Sequence, residues 1–254
     1  MQSMNISGRT ALVVGASGKI GFAIAEALIE EGVNICCHFN HNQANIEQLV
    51  SVGKRKGIAI SQVQADLNYS KDQKAVFTLI NKSLELTGEL NILVNCLGDF
   101  LQKPLPALIA DEFRNIIESN LSLAFDLTQE ALPHIKKSGA GRILHIGYAT
   151  ASQIEAKPSI LPYHIAKMGL ILLTKSFAID EAKQKNQEKV LINCLSPGIC
   201  ENSHFLPQNE IPLGRPANLT EISEAAIFLL KSDYITGTNL EIDGGWRGSN
   251  LIGN

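Results

Sequence analysis

The stretch Ala11-Leu12-Val13-Val14-Gly15-Ala16-Ser17-Gly18-Lys19-Ile20-Gly21 decides how this chain is read. An unbroken apolar run, Ala11–Val14, passes straight into a loop with glycine at 15, 18 and 21, and an amphipathic helix-length segment, Ile20–Glu31, overlaps its end. Glycines between a strand and a helix permit a tight turn, close backbone approach to a pyrophosphate, and close helix–strand packing. The helix start adds N–H groups and the positive end of its dipole, which suit phosphate oxygens. Gly15, Ser17, Gly18, Lys19, Ile20 and Gly21 are therefore candidate dinucleotide contacts.

The same rhythm continues along the chain. Candidate strands are Ala11–Val14, Asn34–His38, Ala59–Val63, Ile92–Asn95, Arg142–Ile146, Leu191–Leu195 and Leu240–Ile242. Candidate helices are Ile20–Glu31, Asn42–Lys56, Lys71–Leu86, Asp111–Lys136, Ile160–Ala182 and Leu219–Leu230. The strands are continuous apolar runs, the pattern of strands covered on both faces. Strand and helix in alternation predict an α/β fold: a single Rossmann-type domain over 1–254, with a doubly wound parallel sheet of about seven strands. One segment breaks the rhythm. Residues 197–218 hold four prolines and two glycines with little periodicity. Such a loop beyond a strand's carboxyl end reads as a substrate lid.

Composition excludes several classes. The 254 residues carry a net charge of −3 with no long charge run, which points to no nucleic-acid partner. No apolar stretch is long enough to span a bilayer, and MQSMNISGRT has no apolar core of a secretory leader. Five cysteines without zinc spacing read as small buried hydrophobes in a reducing, cytoplasmic setting. Six scattered histidines offer no metal-site spacing.

A catalytic pair is suggested by Tyr163-His164-Ile165-Ala166-Lys167, in which a phenol and an ammonium stand one helical turn apart. A cation roughly 5 Å from a phenolate, at an effective dielectric of about 20, interacts by about 3 kcal/mol, or about two pKa units. Lys167 is thus expected to bring Tyr163 towards a useful proton donor. Beyond Tyr163 the helix is apolar almost all round, which predicts a second covering surface in a homo-oligomer. At the end of the second strand stands Phe39, where a carboxylate would bind the ribose hydroxyl of NAD. Lys19 offers a charge, and Asn40, His41 and Asn42 offer hydrogen bonds, to a 2′-phosphate; the expected cofactor is NADP(H).

These motifs, in this order, resemble the short-chain dehydrogenase/reductases over nearly the whole chain. The resemblance implies that Asp66 and the adjacent Leu67 hold the adenine, and that Asn95 and Gly98 flank the cofactor in Asn95-Cys96-Leu97-Gly98. It implies that Asn120 serves a proton relay, that Tyr163 and Lys167 are the catalytic pair, that Pro197-Gly198 follows the sixth strand as a cofactor contact, and that Ile242-Asp243-Gly244-Gly245 closes the fold. Lys19 and the His38-Phe39-Asn40 strand end are similar to the pteridine reductases, and the segment from Ile211 to Trp246 also to 3-oxoacyl-acyl-carrier-protein reductases. The family's usual serine is missing. Alignment on the strand puts Tyr148 there, counting back from Tyr163 gives Thr150, and Ser152 is a third hydroxyl; Tyr148 is favoured. The implied activity is reduction of a carbonyl or imine, in a 3-oxoacyl thioester on a carrier or in a pterin. Phe100, Tyr148, Phe205 and Trp246 are possible walls for such a small-molecule substrate. A non-catalytic NADP(H) sensor or scaffold is the competing reading.

Overall fold

The computed structural model describes residues 4–67, 74–184, 189–201, 203 and 211–246. Seven strands form one sheet: β1 (Thr10–Val14), β2 (Asn34–Phe39), β3 (Ile60–Gln64), β4 (Ile92–Asn95), β5 (Gly141–Ile146), β6 (Val190–Pro197) and β7 (Asn239–Ile242). Among the described residues seven α-helices connect them: α1 (Lys19–Glu30), α2 (Gln43–Lys56), α3 (Ala75–Leu84), α4 (Ala110–Ile117), α5 (Leu123–Lys137), α6 (Leu161–Lys183) and α7 (Leu219–Lys231). The order is β3-β2-β1-β4-β5-β6-β7 with every neighbouring pair parallel. The direction of progression reverses between β1 and β4, and crevices at such a switch point hold ligands beyond the strands' carboxyl ends.

Strand β1 explains the layering. Ala11 and Val13 join one buried cluster with Ile24 and Leu28 of α1, Leu49 of α2 and Ala226 of α7. Leu12 and Val14 point the other way, into a cluster with Leu79 of α3, Leu127 of α5 and Ala178 of α6. An alternating backbone under a continuous apolar sequence buries both faces, so the run had to be apolar throughout. The edges depart from that pattern. Strand β3 alternates between half-buried and exposed positions and β7 is half-buried throughout, because an outermost strand has a neighbour on one side only.

Two expectations about helices need correction. The segment Asp111–Lys136 is not one helix: a π-helical turn, Glu118–Ser122, divides α4 from α5. A period of apolar residues does not reveal a single inserted residue, since the pattern resumes on both sides. Asn42 lies outside α2 as its cap, with φ 57°. The start of the segment expected from Lys71 lies outside the described residues, and α3 is seen from Ala75. No helix among the described residues is long and apolar enough to cross a membrane.

Because Leu12 is fully buried on the α3/α5 face, Leu12→Ala is expected to cost about 2–5 kcal/mol of stability in urea unfolding. A loss under about 1 kcal/mol would show that this face of the sheet is not a packed layer.

Candidate active site

Gly15 ends β1 in the left-handed region, φ 82°, which turns the chain sharply out of the sheet. A Cβ on Gly21 would lie 2.2 Å from the Gly15 carbonyl oxygen, so the helix start and the loop touch backbone to backbone. Helix α1 makes its first turn with the Phe22 N–H donating to the Gly18 carbonyl, 2.7 Å. Helix geometry leaves the N–H groups ahead of that bond directed out of the helix end. Asn45 of α2 braces the loop by donating to the Ser17 carbonyl at 2.9 Å.

Beside this loop lies a cavity of about 210 Å³, lined by His38, Asn40, Ala65, Asp66, Leu67, Leu97, Gly98 and Asp99 and by the α4 side. Asn40 is thus part of its wall, whereas His41 and Lys19 are exposed and are not among the lining residues. Phe39, the position expected to face the ribose, is buried in the core at 4% exposure. On the α4 side the wall is built from Asn115, Glu118 and Ser119. These go beyond the sequence reading; their mutual spacing of i, i+3 and i+4, one face of a helix, was the available signal.

A second group of side chains surrounds Gly98. Lys167 is 4% exposed, and its Nζ donates to the Ile146 carbonyl at the end of β5, 2.8 Å. Asn120 sits in the π turn at 1% exposure; its Nδ2 donates to the carbonyls of Asp99 (2.9 Å) and Ile116 (3.0 Å), with Ser119 Oγ at 3.3 Å. Its Oδ1 is buried without a partner. A Cβ on Gly98 would meet that Oδ1 at 2.1 Å and Lys167 Nζ at 3.1 Å, so glycine is what lets the two polar groups converge. Asn95 holds the turn before Gly98 by accepting from the Leu97 N–H, 3.1 Å. Across the crevice the Gly198 N–H donates to the Ile242 carbonyl at 2.9 Å, while the Pro197 carbonyl accepts from the Ala149 N–H at 2.9 Å.

Tyr163 opens α6, with Pro162 just before it in the first turn, where its missing N–H is harmless. The Tyr163 ring stands 5.7 Å from Lys167 Nζ, 5.6 Å from the Tyr148 ring, and 5.1 Å edge-on from Phe100. Tyr148 also lies 6.5 Å from the Trp246 ring. The three candidate hydroxyls separate clearly. Tyr148 faces Tyr163; Thr150 is fully buried with φ 72° and an unpartnered Oγ1; Ser152 is exposed and donates to Glu241 at 2.6 Å. Phe205, with residues 202, 204 and 206–210 of the 197–218 segment expected to be a lid, lies outside the described residues.

The charge balance corrects one expectation. Burial raises the Tyr163 phenol above its ordinary value, and neighbouring Tyr148 adds to the shift, so Lys167 does not bring it down in the chain by itself. Burial also lowers Lys167, to about 8, with Cys194 and Cys96 opposing. Desolvation is the largest cause of the shift on both groups. Among the described residues no cluster of side chains suits a metal ion.

A tight glycine loop, a cavity at the switch point and an orphaned amide oxygen beside a buried lysine fit a dinucleotide with a reacting group at Gly98. The comparisons agree with that geometry. Residues 15–247 match the family model described as enoyl-(acyl carrier protein) reductase. A 3-oxoacyl-[acyl-carrier-protein] reductase of Vibrio harveyi is 31% identical, covering 95% of this chain and 98% of the relative. A tropinone reductase homologue of Arabidopsis thaliana is 30% identical, covering 95% and 93%. A solved short-chain dehydrogenase/reductase from Serratia marcescens superposes with TM-score 0.85 at 28% identity, over 96% of this chain and all (100%) of the other. The chain belongs to the short-chain dehydrogenase/reductase family. It is an NAD(P)-dependent oxidoreductase and resembles the 3-oxoacyl-acyl-carrier-protein reductases.

A lysine lowered to about 8 has a signature in stability. Between that value and the ordinary lysine pKa of about 10.4, the unfolded chain binds a proton that the folded chain has released, so folding is favoured as pH rises. The stability of the wild type relative to Lys167→Met is expected to increase between about pH 7.5 and about pH 9.5 in urea titrations. A difference independent of pH contradicts a desolvated ammonium here.

Proposed function

We propose that the protein is a reductase that adds hydride and a proton across a carbonyl or imine bond, with NADPH as cofactor and Tyr163 as proton donor. The observation that carries this is the convergence at Gly98 of Lys167 Nζ and the orphaned Asn120 Oδ1, behind the Tyr163 ring. The bound nicotinamide supplies the hydride. Tyr163, whose phenol is raised by desolvation and so keeps its proton, gives that proton to the oxygen or nitrogen on which charge develops. Lys167 lies close enough to stabilise the phenolate left behind, and Asn120 Oδ1 accepts from a water that returns protons towards Lys167. The Tyr148 hydroxyl steadies the substrate heteroatom. Thr150 is enclosed and Ser152 is engaged with Glu241, which favours Tyr148 for that role.

The cofactor loop, Asp66 and Leu67, Asn95, Gly98, Pro197 and Gly198 hold the dinucleotide in this reading. Preference for NADPH is supported by Lys19 at the first position of α1 and Asn40 in the cavity wall, with no carboxylate at the end of β2. The substrate we favour is a flat conjugated ring, as in a pterin, because Phe100 and Tyr148 pack against the Tyr163 ring and Trp246 packs in turn against Tyr148. A 3-oxoacyl thioester, suggested by the relatives' names, is the second candidate. Self-association is supported by Ile165, Leu172 and Ile179, which leave one side of α6 apolar and exposed. Five free cysteines suit a reducing cytoplasm.

NADPH oxidation against dihydrobiopterin, acetoacetyl thioester, diketones and quinones tests the activity, and turnover of the ring substrates is expected. Tyr163→Phe is expected to lower kcat by at least about 100-fold, since general acid catalysis contributes about 10²–10⁴, with NADPH affinity nearly unchanged. Tight NADPH binding with no turnover of any substrate would instead indicate a sensor. Light scattering at micromolar concentration is expected to show a dimer or tetramer, and a monomer would contradict the reading of α6.

A further inference from the structure

His38, next to last in β2, is 1% exposed and lies between the two halves of the proposed cofactor site. Its Nδ1 is 3.2 Å from the Gly15 nitrogen, whose N–H donates to it. Its Nε2 is 3.1 Å from the Ala65 carbonyl oxygen. An Nδ1 that accepts leaves the ring hydrogen of a neutral imidazole on Nε2, which then donates to Ala65. The ring adds a side-chain link to the backbone pairing on both sides of the strand. The Ala16 N–H already donates to the His38 carbonyl, and the Ala65 N–H to the Phe39 carbonyl. Gly15, turned out of the sheet at φ 82°, directs its N–H at the imidazole. Directly after Ala65 come Asp66 and Leu67, which line the same cavity as His38 itself.

We infer that His38 is a positioning residue for the dinucleotide: its imidazole ties the phosphate loop at Gly15 to the adenine-side segment at Ala65 and sets the spacing between them. The inference rests on the cofactor reading above. Neither bond is available to an aliphatic or phenyl side chain, which would leave the Gly15 N–H buried and unpaired. An asparagine can present an oxygen near the Nδ1 position and keep the Gly15 bond alone. A glutamine can reach the Nε2 position and keep the Ala65 bond alone.

Dissociation constants for NADPH and NADH, from quenching of the single tryptophan, Trp246, test this in the full-length protein. His38→Phe is expected to weaken the tighter nucleotide by roughly five- to thirtyfold, the scale of one buried hydrogen-bond partner lost. His38→Asn is expected to recover part of the affinity. A His38→Phe protein that melts cooperatively and binds as the wild type does overturns the inference. So does a His38→Asn protein no better than His38→Phe, since that assigns the loss to packing. If His38→Phe does not fold, His38→Gln is judged by the same criterion of affinity. A wild type that binds neither nucleotide overturns the cofactor reading instead.

Discussion

The carboxyl edge of the sheet is organised around one lysine ammonium held almost out of water. Lys167 reaches back from α6 to the last carbonyl of β5, Ile146, and that bond fixes the helix against the strand end. A desolvated cation is costly unless polar groups surround it, and the chain around it is arranged accordingly. His145, next to Ile146, is itself lowered to about 3, first by burial and then by the nearby ammonium, so it does not compete for charge. Asn120 turns its amide into the same space, and Gly98 gives up a side chain so that both fit.

That arrangement accounts for the interruption between α4 and α5. An uninterrupted α-helix would carry Asn120 at a regular angular step from its neighbours. The π turn at Glu118–Ser122 shifts that step, and Asn120 donates both to its own helix at Ile116 and across to the Asp99 carbonyl. With Nδ2 occupied in this way, Oδ1 is left as the buried acceptor beside Gly98. A polar residue that merely satisfied helix backbone would make the Ile116 bond without the Asp99 bond or the orphaned oxygen.

The fold was legible because its signals are local and repeated. The runs Ala11–Val14 and Ile92–Asn95 are apolar on both faces, and both emerged as strands buried on both sides. The geometry of the candidate site was legible only where it follows from residue type and spacing, as in the close approach of Gly15 to Gly21 and of Tyr163 to Lys167. It failed where a residue's direction decides its use. Phe39 turned into the core and Asn40 into the cavity, a difference set by the strand pleat at its end. Tyr148, Thr150 and Ser152 are close in sequence, yet Thr150 takes a left-handed backbone and is enclosed, while Ser152 points away to Glu241. His38 was passed over as a strand-end residue because its two partners, Gly15 and Ala65, are 23 and 27 residues away.

The sign of the electrostatics was the least accessible from sequence, and it bears on direction. A phenol and an ammonium one turn apart suggest a phenol made acidic, but burial raises Tyr163 and lowers Lys167. Both shifts favour uncharged groups, so the proton rests on the phenol until charge is generated nearby. In the proposed reduction, that charge develops on the substrate heteroatom as hydride arrives. The same dry setting that opposes a resting phenolate strengthens the response to a neighbouring charge. A donor that holds its proton until then suits reduction better than a phenol ionised in advance, and desolvation of the phenol, with Tyr148 beside it, is what raises it.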